Sequence, residues 1–232
     1  MSLRKCLVAA SMLMTSASPA QNTKTFDAAA AFGARPTVAD LSLSPDGLSV
    51  AYVAPTAGQG SALFTVDLAK GAKSRIALLA NGKPERIEKC HWVSNERLVC
   101  STYGVASNAI GLVPFTRIMA VDRSGGNLKV LSTQANEHTQ GWLFHGGEVI
   151  DWLPDEDSSV LMSRLYVPDE HLGSHIGSRS EGFGVDSLDT RNLKIKSLEV
   201  PAKDAFSYIT DGRGAVRIVG RAAPASPDRI RV

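Results

Sequence analysis

The sequence predicts an all-β protein built from repeated four-stranded antiparallel sheets, and three observations lead to this prediction. Two hydrophobic runs flanking a short polar turn occur four times along the 232 residues, with the turns 50, 60 and 56 residues apart. Each interval between these hairpins holds a second pair of short strands with alternating apolar and polar residues. Only 26–32 (FDAAAAF) suggests a short helix, and little else repeats every 3.6 residues. The sequence therefore predicts two hairpins, or four strands, in each unit.

The first hairpin of each unit is recognised by its turn. Proline fixes its own φ, aspartate hydrogen-bonds to nearby backbone, and glycine takes the positive φ that closes a tight turn. The four hairpins cover 38–53, 87–103, 147–166 and 206–219, with turns at 44–47 (SPDG), 94–97 (SNER), 154–157 (PDED) and 210–213 (TDGR).

The second hairpin of each unit is marked by alternation around a polar turn. Leu193 to Leu198 (LKIKSL) shows the alternation clearly, which indicates a strand with one buried face. The three second hairpins lie at 63–78, 118–131 and 185–198. In contrast, the glycine- and serine-rich stretch between about 170 and 184 is predicted to be a loop.

Repeated units of four antiparallel strands are typical of the blades of a β-propeller. A β-sandwich also has short strands and frequent turns, but it does not predict the regular alternation of the two kinds of hairpin. We therefore predict a partial β-propeller of three to four four-stranded antiparallel blades, of an expected seven. A ring of four blades would require the N-terminal segment to supply the missing strands.

This prediction divides the chain into segments. We expect a signal peptide at 1–20, a lead-in segment with a short helix at 21–37, a partial β-propeller at 38–221 and a disordered tail at 222–232. Within the propeller, the expected blades are 38–83, 84–141, 142–204 and a half-blade at 205–221.

The first twenty residues have the pattern of an export signal. Arg4 and Lys5 precede the apolar run 6–14 (CLVAASMLM), and small residues follow up to Ala20, where cleavage is expected. The apolar run is about half of the roughly 20 residues that span a bilayer, so a permanent anchor is less favoured. A frayed N-terminus is the alternative. The predicted localisation is periplasmic or secreted.

Composition excludes some partners. The whole chain has 25 Lys and Arg against 23 Asp and Glu, and removal of Arg4 and Lys5 with the signal leaves 23 of each. A neutral chain lacks the basic patch on which nucleic-acid binding depends, and it has no polybasic membrane patch. We therefore expect no nucleic-acid partner, and no membrane partner after signal removal.

Cys90 and Cys100 are the two cysteines left after signal removal, and they are disulfide candidates. Antiparallel pairing around the turn at 94–97 would bring them roughly opposite each other, whereas a slip of one residue would place them on opposite faces. Two buried free thiols are the alternative. A spacing of ten residues does not fit a CxxC metal site.

Several other candidates were weighed, and none predicts a catalytic, cofactor-binding or metal-binding residue. His171 and His175 are four residues apart, but Gly173 lies between them in a glycine-rich stretch. Asp155 and Asp157 fit a solvated turn better than a pair of catalytic carboxylates. Four further residues are assigned to packing or to the surface rather than to a ligand site: Trp92, Trp152, His138 and His145.

Three motifs, taken together and in their order along the chain, resemble those of a known protein family. The stretches FGARPTVADLSLSPDGLSVAYV (32–53), HWVSNERLVCSTYG (91–104) and FSYITDGRGAVRIVGR (206–221) together resemble the N-terminal propeller of bacterial secreted prolyl-oligopeptidase-type (S9) serine peptidases. The likeness is greatest to the dipeptidyl-aminopeptidase and acylaminoacyl-peptidase-like members. It covers about residues 26 to 221.

The resemblance implies a seven-bladed propeller that restricts access to an α/β-hydrolase domain carrying a Ser-Asp-His triad. This chain contains no Gly-x-Ser-x-Gly motif, so no catalytic residue is carried over and no activity is expected from the chain alone. The first hypothesis is thus the substrate-gating propeller part of such a peptidase, with peptide substrates only where the missing hydrolase domain is present. The alternative is a stand-alone TolB-like or WD40-like propeller that binds a protein or peptide.

Overall fold

The computed structural model describes most of the chain between residues 26 and 222. The described ranges are 26–69, 71–108, 111–133, 139–140, 143–153, 156, 158–170 and 177–222. The predicted signal peptide and almost all of the predicted tail lie outside them. The chain divides into two units, at 1–35 and 36–232. In the first unit, helix α1 spans Ala28–Gly33, and the Asp27 carboxylate caps it by accepting from the Ala30 N–H.

The described residues of the second unit form four antiparallel sheets in chain order. Sheet 1 holds β1 (Asp40–Leu43), β2 (Ser49–Pro55), β3 (Ser61–Asp67) and β4 (Ser74–Ala80). Sheet 2 holds β5 (Glu85–Ser94), β6 (Arg97–Asn108), β7 (Gly111–Asp122) and β8 (Lys129–Val130). Sheet 3 holds β9 (Glu148–Asp151), β10 (Ser159–Tyr166), β11 (Gly182–Asp189) and β12 (Ile195–Ala202). Sheet 4 has two strands, β13 (Ala205–Thr210) and β14 (Val216–Arg221).

The turn between β1 and β2 follows from its SPDG sequence. Gly47 has a φ of +71°, which a residue with a Cβ adopts only at a cost. The Asp46 carboxylate accepts from the Ser44 hydroxyl and from the Leu48 N–H. These two hydrogen bonds hold the pKa of Asp46 below its usual value. In the TDGR turn between β13 and β14, Gly212 also has a positive φ, and the Asp211 carboxylate accepts from the Arg213 and Ala215 N–H groups.

An aspartate ends the third strand of each complete sheet. Asp67 accepts from the N–H of Ala69, and Asp189 accepts from the N–H of Arg191. Asp122 instead accepts from the Asn127 side chain, across a longer turn. By accepting hydrogen bonds within the turn, the side chain of this aspartate stabilises the turn between the third and fourth strands of each complete sheet.

The core lies between successive sheets. One cluster joins sheets 1 and 2, the next joins sheets 2 and 3, and the third joins sheets 3 and 4. Because side chains alternate along a strand, sheets 2 and 3 each contribute one face to the sheet before and the other to the sheet after. Four-stranded antiparallel sheets stacked face to face in chain order are propeller blades. The prediction of an all-β, partial β-propeller is therefore confirmed.

Hydrogen bonds also cross each junction between sheets. The Trp92 indole Nε1 donates to the Ser42 carbonyl at 3.1 Å, and the Tyr208 hydroxyl donates to the Phe183 carbonyl at 2.7 Å. Trp92 is buried between sheets 1 and 2, and Trp152 packs between sheets 2 and 3. Both tryptophans pack between sheets, as the sequence predicts.

The structure corrects three details. Arg97, taken from the sequence as the end of a polar turn, is the first residue of β6 and is fully buried. Residues 182–184, predicted to belong to a loop, begin β11. The strand predicted at 128–131 is only two residues long. The turn predicted at 154–157 lies mostly outside the described residues. In the described part of the chain, no helix has the length and apolarity needed to cross a membrane.

Candidate functional site

Arg97 forms the densest group of polar contacts at the junction of sheets 2 and 3. Its Nε donates to the Thr190 hydroxyl at 3.1 Å, and its Nη2 donates to the Asn127 carbonyl at 3.1 Å. Its Nη1 donates to the Asp122 carboxylate. Burial raises the pKa of Asp122, but the hydrogen bonds from Asn127 and Arg97 outweigh burial and hold that pKa below its usual value. This group fixes one end of the junction.

A second polar group lies farther along the same face of sheet 3. Arg164 and Asp186 form a buried ion pair at 3.0 Å, and the Tyr166 hydroxyl donates to the same carboxylate. Burial, followed by the hydrogen bond to Asp186, raises the pKa of Tyr166 to about 12. In the described part of the chain, Arg164 Nε and Asp186 Oδ1 have no hydrogen-bond partner.

Between sheets 2 and 3 lies a cleft of about 300 Å³, which we call the junction cleft. The His91 and Trp152 rings form one wall, with centroids 5.1 Å apart. The cleft is lined from both sheets and from the segment between them by Glu88, Lys89, His91, Val99, Ser101, Thr116, Ile118, His145, Gly147, Glu148, Val149 and Trp152. The Ser101 hydroxyl oxygen is buried and has no hydrogen-bond partner among the described residues.

A larger cavity of about 670 Å³ shares Thr116 and His145 with the junction cleft. The Arg117–Glu85 ion pair, at 3.1 Å, lies on its wall. The Arg117 guanidinium also lies 5.0 Å from the centre of the Phe115 ring, a distance typical of a cation–π contact. The two cavities together are lined by aromatic rings and by both positively and negatively charged side chains that can form hydrogen bonds.

These walls have the size and the mixture of groups found in ligand-binding pockets. Pockets of roughly 300–1,000 Å³ with apolar walls and a few polar groups are typical of ligand sites. In the described ranges, no cluster of three or more His, Cys, Asp or Glu side chains is arranged to hold a metal ion. The groups that line the junction cleft can donate hydrogen bonds to a polar chain and accept hydrogen bonds from it. The aromatic wall of the cleft can pack against the same chain.

The residues predicted from sequence have different outcomes. Cys90 and Cys100 lie directly opposite each other on β5 and β6, joined by a disulfide. His145, assigned from the sequence to packing or surface, lines both cavities, and Trp152 lines the junction cleft in addition to packing. Five weighed residues lie outside the described ranges: His138, Asp155, Asp157, His171 and His175.

Sequence reasoning missed two charged groups. Arg97 was hidden in a run that reads as a turn, Ser-Asn-Glu-Arg. Arg164 and Asp186 stand within strongly apolar strands, LMSRLY and GFGVDSLD. A charged residue in the middle of such a strand is a signal for a buried pair, because an isolated buried charge is costly.

Comparison with known proteins finds similarity only to solved structures, at low TM-scores. No family model matches the sequence, and no curated protein matches it. Among solved structures, TolB from Acinetobacter baumannii is 14% identical with a TM-score of 0.36, covering 69% of this chain and 32% of TolB. A puromycin-hydrolyzing peptidase of Mycobacterium tuberculosis is 16% identical with a TM-score of 0.35, covering 70% of this chain and 29% of the peptidase.

A third similar structure is the β-propeller domain of the Trilobed protease from Pyrococcus furiosus. It is 12% identical with a TM-score of 0.30, covering 76% of this chain and 61% of that domain. The chain thus spans less than two thirds of each of these structures. Likeness at these scores gives no information on function.

Proposed function

We propose that the chain is a non-catalytic propeller module that binds a peptide or an extended protein segment in the junction cleft. The observation that carries this proposal is the buried Ser101 hydroxyl, which has no partner among the described residues and lies in a cleft walled by His91 and Trp152. A buried polar group without a partner is costly, and a ligand that supplies a hydrogen bond removes that cost.

Peptide chemistry fits the groups around this cleft. A peptide backbone carries both N–H donors and C=O acceptors, and the cleft holds acceptors on Glu88 and Glu148 beside a donor on Lys89. The Trp152 ring offers a flat apolar surface for a side chain. The sheets on both sides are held by the Arg97 group, so the cleft is largely formed before a ligand arrives.

The test is fluorescence polarisation with a pool of fluorescein-labelled octapeptides. Trp152→Ala should raise the dissociation constant about tenfold or more, which corresponds to about 1.4 kcal/mol. Trp152 also packs in the core, so Glu148→Gln at the exposed mouth serves as a second variant, with a smaller expected loss. Leu112→Ala, in the exposed β6–β7 hairpin, is the matched control and should bind as the unaltered chain does. Binding that neither cleft variant weakens would overturn the proposal.

A second candidate function is the substrate-gating propeller part of a secreted S9-like serine peptidase. The observation that favours it is the order of the resembling motifs: SPDG joins β1 to β2, SNER spans the β5–β6 turn, and TDGRG joins β13 to β14. In that case the peptide in the cleft is a substrate on its way to a triad in a separate hydrolase domain.

Two measurements test the second candidate. Chromogenic dipeptide esters incubated with the chain alone should show no hydrolysis above buffer. The genomic sequence that follows the codon for Val232 should encode an α/β-hydrolase domain, in any reading frame. A neighbourhood without one would rule out the peptidase role and leave the binding role intact.

A further inference from the structure

A third cavity, of about 310 Å³, lies at the junction of sheets 1 and 2. Ser49 pairs with Asp67 and Thr65 pairs with Arg75, so these four side chains share the face of sheet 1 that packs against sheet 2. Farther along the same face, Leu63 is buried in the core between the two sheets. We call this space the basic cavity, and it is lined by Ser49, Thr65, Val66, Asp67, Lys73, Arg75 and Arg123.

Arg123, in the turn after β7, is the residue of sheet 2 that lines the basic cavity. Its backbone N–H donates to the Glu96 carbonyl, and its own carbonyl accepts from the Thr65 hydroxyl at 2.9 Å. Its guanidinium pairs with Asp67 at 3.1 Å and with the Glu96 carboxylate at 3.4 Å. These contacts join the two sheets and position Arg123 before any ligand arrives.

The other two cations of the basic cavity lack a counter-charge. Among the described residues, neither the Lys73 ammonium nor the Arg75 guanidinium forms an ion pair. The Asp67 carboxylate, the only acidic group in the described lining, is paired with Arg123. Lys70, in the β3–β4 turn but outside the described ranges, is also basic and supplies no counter-charge. Like charges around one cavity repel each other, so a bound anion would stabilise this arrangement.

We propose that the basic cavity binds the phosphate group of a small phosphomonoester. Such a group carries about 1.5 to 2 negative charges at neutral pH, which matches the two cations without a partner, whereas a single carboxylate balances only one. Its oxygens can accept two parallel hydrogen bonds from the Arg75 guanidinium while the Lys73 ammonium acts as a point charge. The volume is within the range of small-molecule sites and leaves room for an organic group beside the phosphate. The basic cavity and the junction cleft share no lining residue, so this proposal does not depend on the proposed function.

Isothermal titration calorimetry of the purified chain with glycerol 2-phosphate, in a buffer without phosphate, tests the proposal. We expect saturable binding of one molecule per chain, at least about tenfold tighter than the binding of acetate, and no binding of glycerol. Inorganic phosphate carries the same anionic group and should compete for the site. Absence of saturable binding would overturn the proposal. Acetate bound as tightly as the ester would also overturn it, because the site would then not select for a doubly charged group.

Two substitutions locate the binding in the basic cavity. Lys73→Gln and Arg75→Gln should each raise the dissociation constant of glycerol 2-phosphate by about fivefold to tenfold. Both side chains are exposed and neither loses an ion pair, so the variants should fold, which circular dichroism melts verify. Arg213→Gln, in the exposed β13–β14 turn, removes the same charge outside the cavity and should leave the dissociation constant unchanged. An equal loss in Arg213→Gln, or no loss in either cavity variant, contradicts a site in the basic cavity.

Discussion

The side chain of Arg97 in sheet 2 donates from both Nε and Nη2 to the backbone carbonyl of Thr190, in the turn after β11 of sheet 3, at 3.2 and 2.5 Å. Residues 93 positions apart in the chain are thus joined by a fully buried guanidinium. The same guanidinium pairs with Asp122 of its own sheet. Arg97 therefore couples the hairpin geometry of sheet 2 to the position of sheet 3.

Replacing Arg97 with alanine should lower the free energy of unfolding by about 3–5 kcal/mol, because it removes the cation paired with Asp122 and the buried donors to the Thr190 carbonyl. Urea denaturation followed by circular dichroism measures the change. Arg221→Ala is the control: its ion pair with Asp204 has both side chains about half exposed, and the loss should be under about 1 kcal/mol. Equal losses in the two variants would contradict the role given to Arg97.

The Cys90–Cys100 bridge should protect both thiols in the unreduced protein. Titration of the unfolded, unreduced Cys6→Ser chain with a thiol reagent should find no reactive thiol, and prior reduction should release two thiols. The bridge closes a short loop, so the double variant Cys90→Ala/Cys100→Ala should lose about 2–3 kcal/mol of unfolding free energy. Two reactive thiols before reduction would show that the cysteines are free.

Because of Tyr166, the free energy of unfolding should decrease as pH rises in the alkaline range. Its folded pKa of about 12 is above the usual value of 10.0, so the folded state favours the protonated hydroxyl. This stabilisation is fully present below pH 10 and is lost as pH rises through 12. Denaturation midpoints measured between pH 9 and pH 12 should fall more steeply for the unaltered chain than for Tyr166→Phe. Parallel curves would show that Tyr166 does not cause the dependence.

Asp211 should titrate at strongly acidic pH. The Arg217 guanidinium, followed by the N–H groups of Arg213 and Ala215, lowers the pKa of Asp211 to about 2. Its stabilisation is present above the usual pKa of 3.8 and is lost as pH falls through 2. Carboxyl NMR titration should show this, and Arg217→Met should raise the pKa. Asp46, whose pKa is lowered chiefly by the Ser44 hydroxyl, is the control and should not respond to Arg217→Met.

The hairpins were predictable because their signals are local. The SPDG and TDGR turns, and alternation in runs such as LKIKSL, indicate strands without knowledge of distant residues. Packing of Trp92 and Trp152 between sheets also followed from their equivalent positions before two turns. The junction cleft was not predictable, since its walls come from separate sheets whose relative placement no local pattern specifies.

The cysteine pair shows where local information ends. Ser94 pairs with Arg97 at the turn, so uninterrupted pairing would place Cys90 opposite Ser101. A register shift between Trp92 and Ser94 places it opposite Cys100 instead. Such an irregularity moves every later side chain relative to its partner strand, and the turn sequence alone does not reveal it.

The sequence by itself determined the all-β class, the order of the hairpins and the repetition of four-stranded units, because turn chemistry and side-chain alternation act over a few residues. The tertiary structure alone decided that Arg97 is buried, that Arg164 pairs with Asp186, and which groups face the junction cleft. The physical reason is that the cost of burying a charge depends on its partners, and most of these partners lie on other strands or in another sheet.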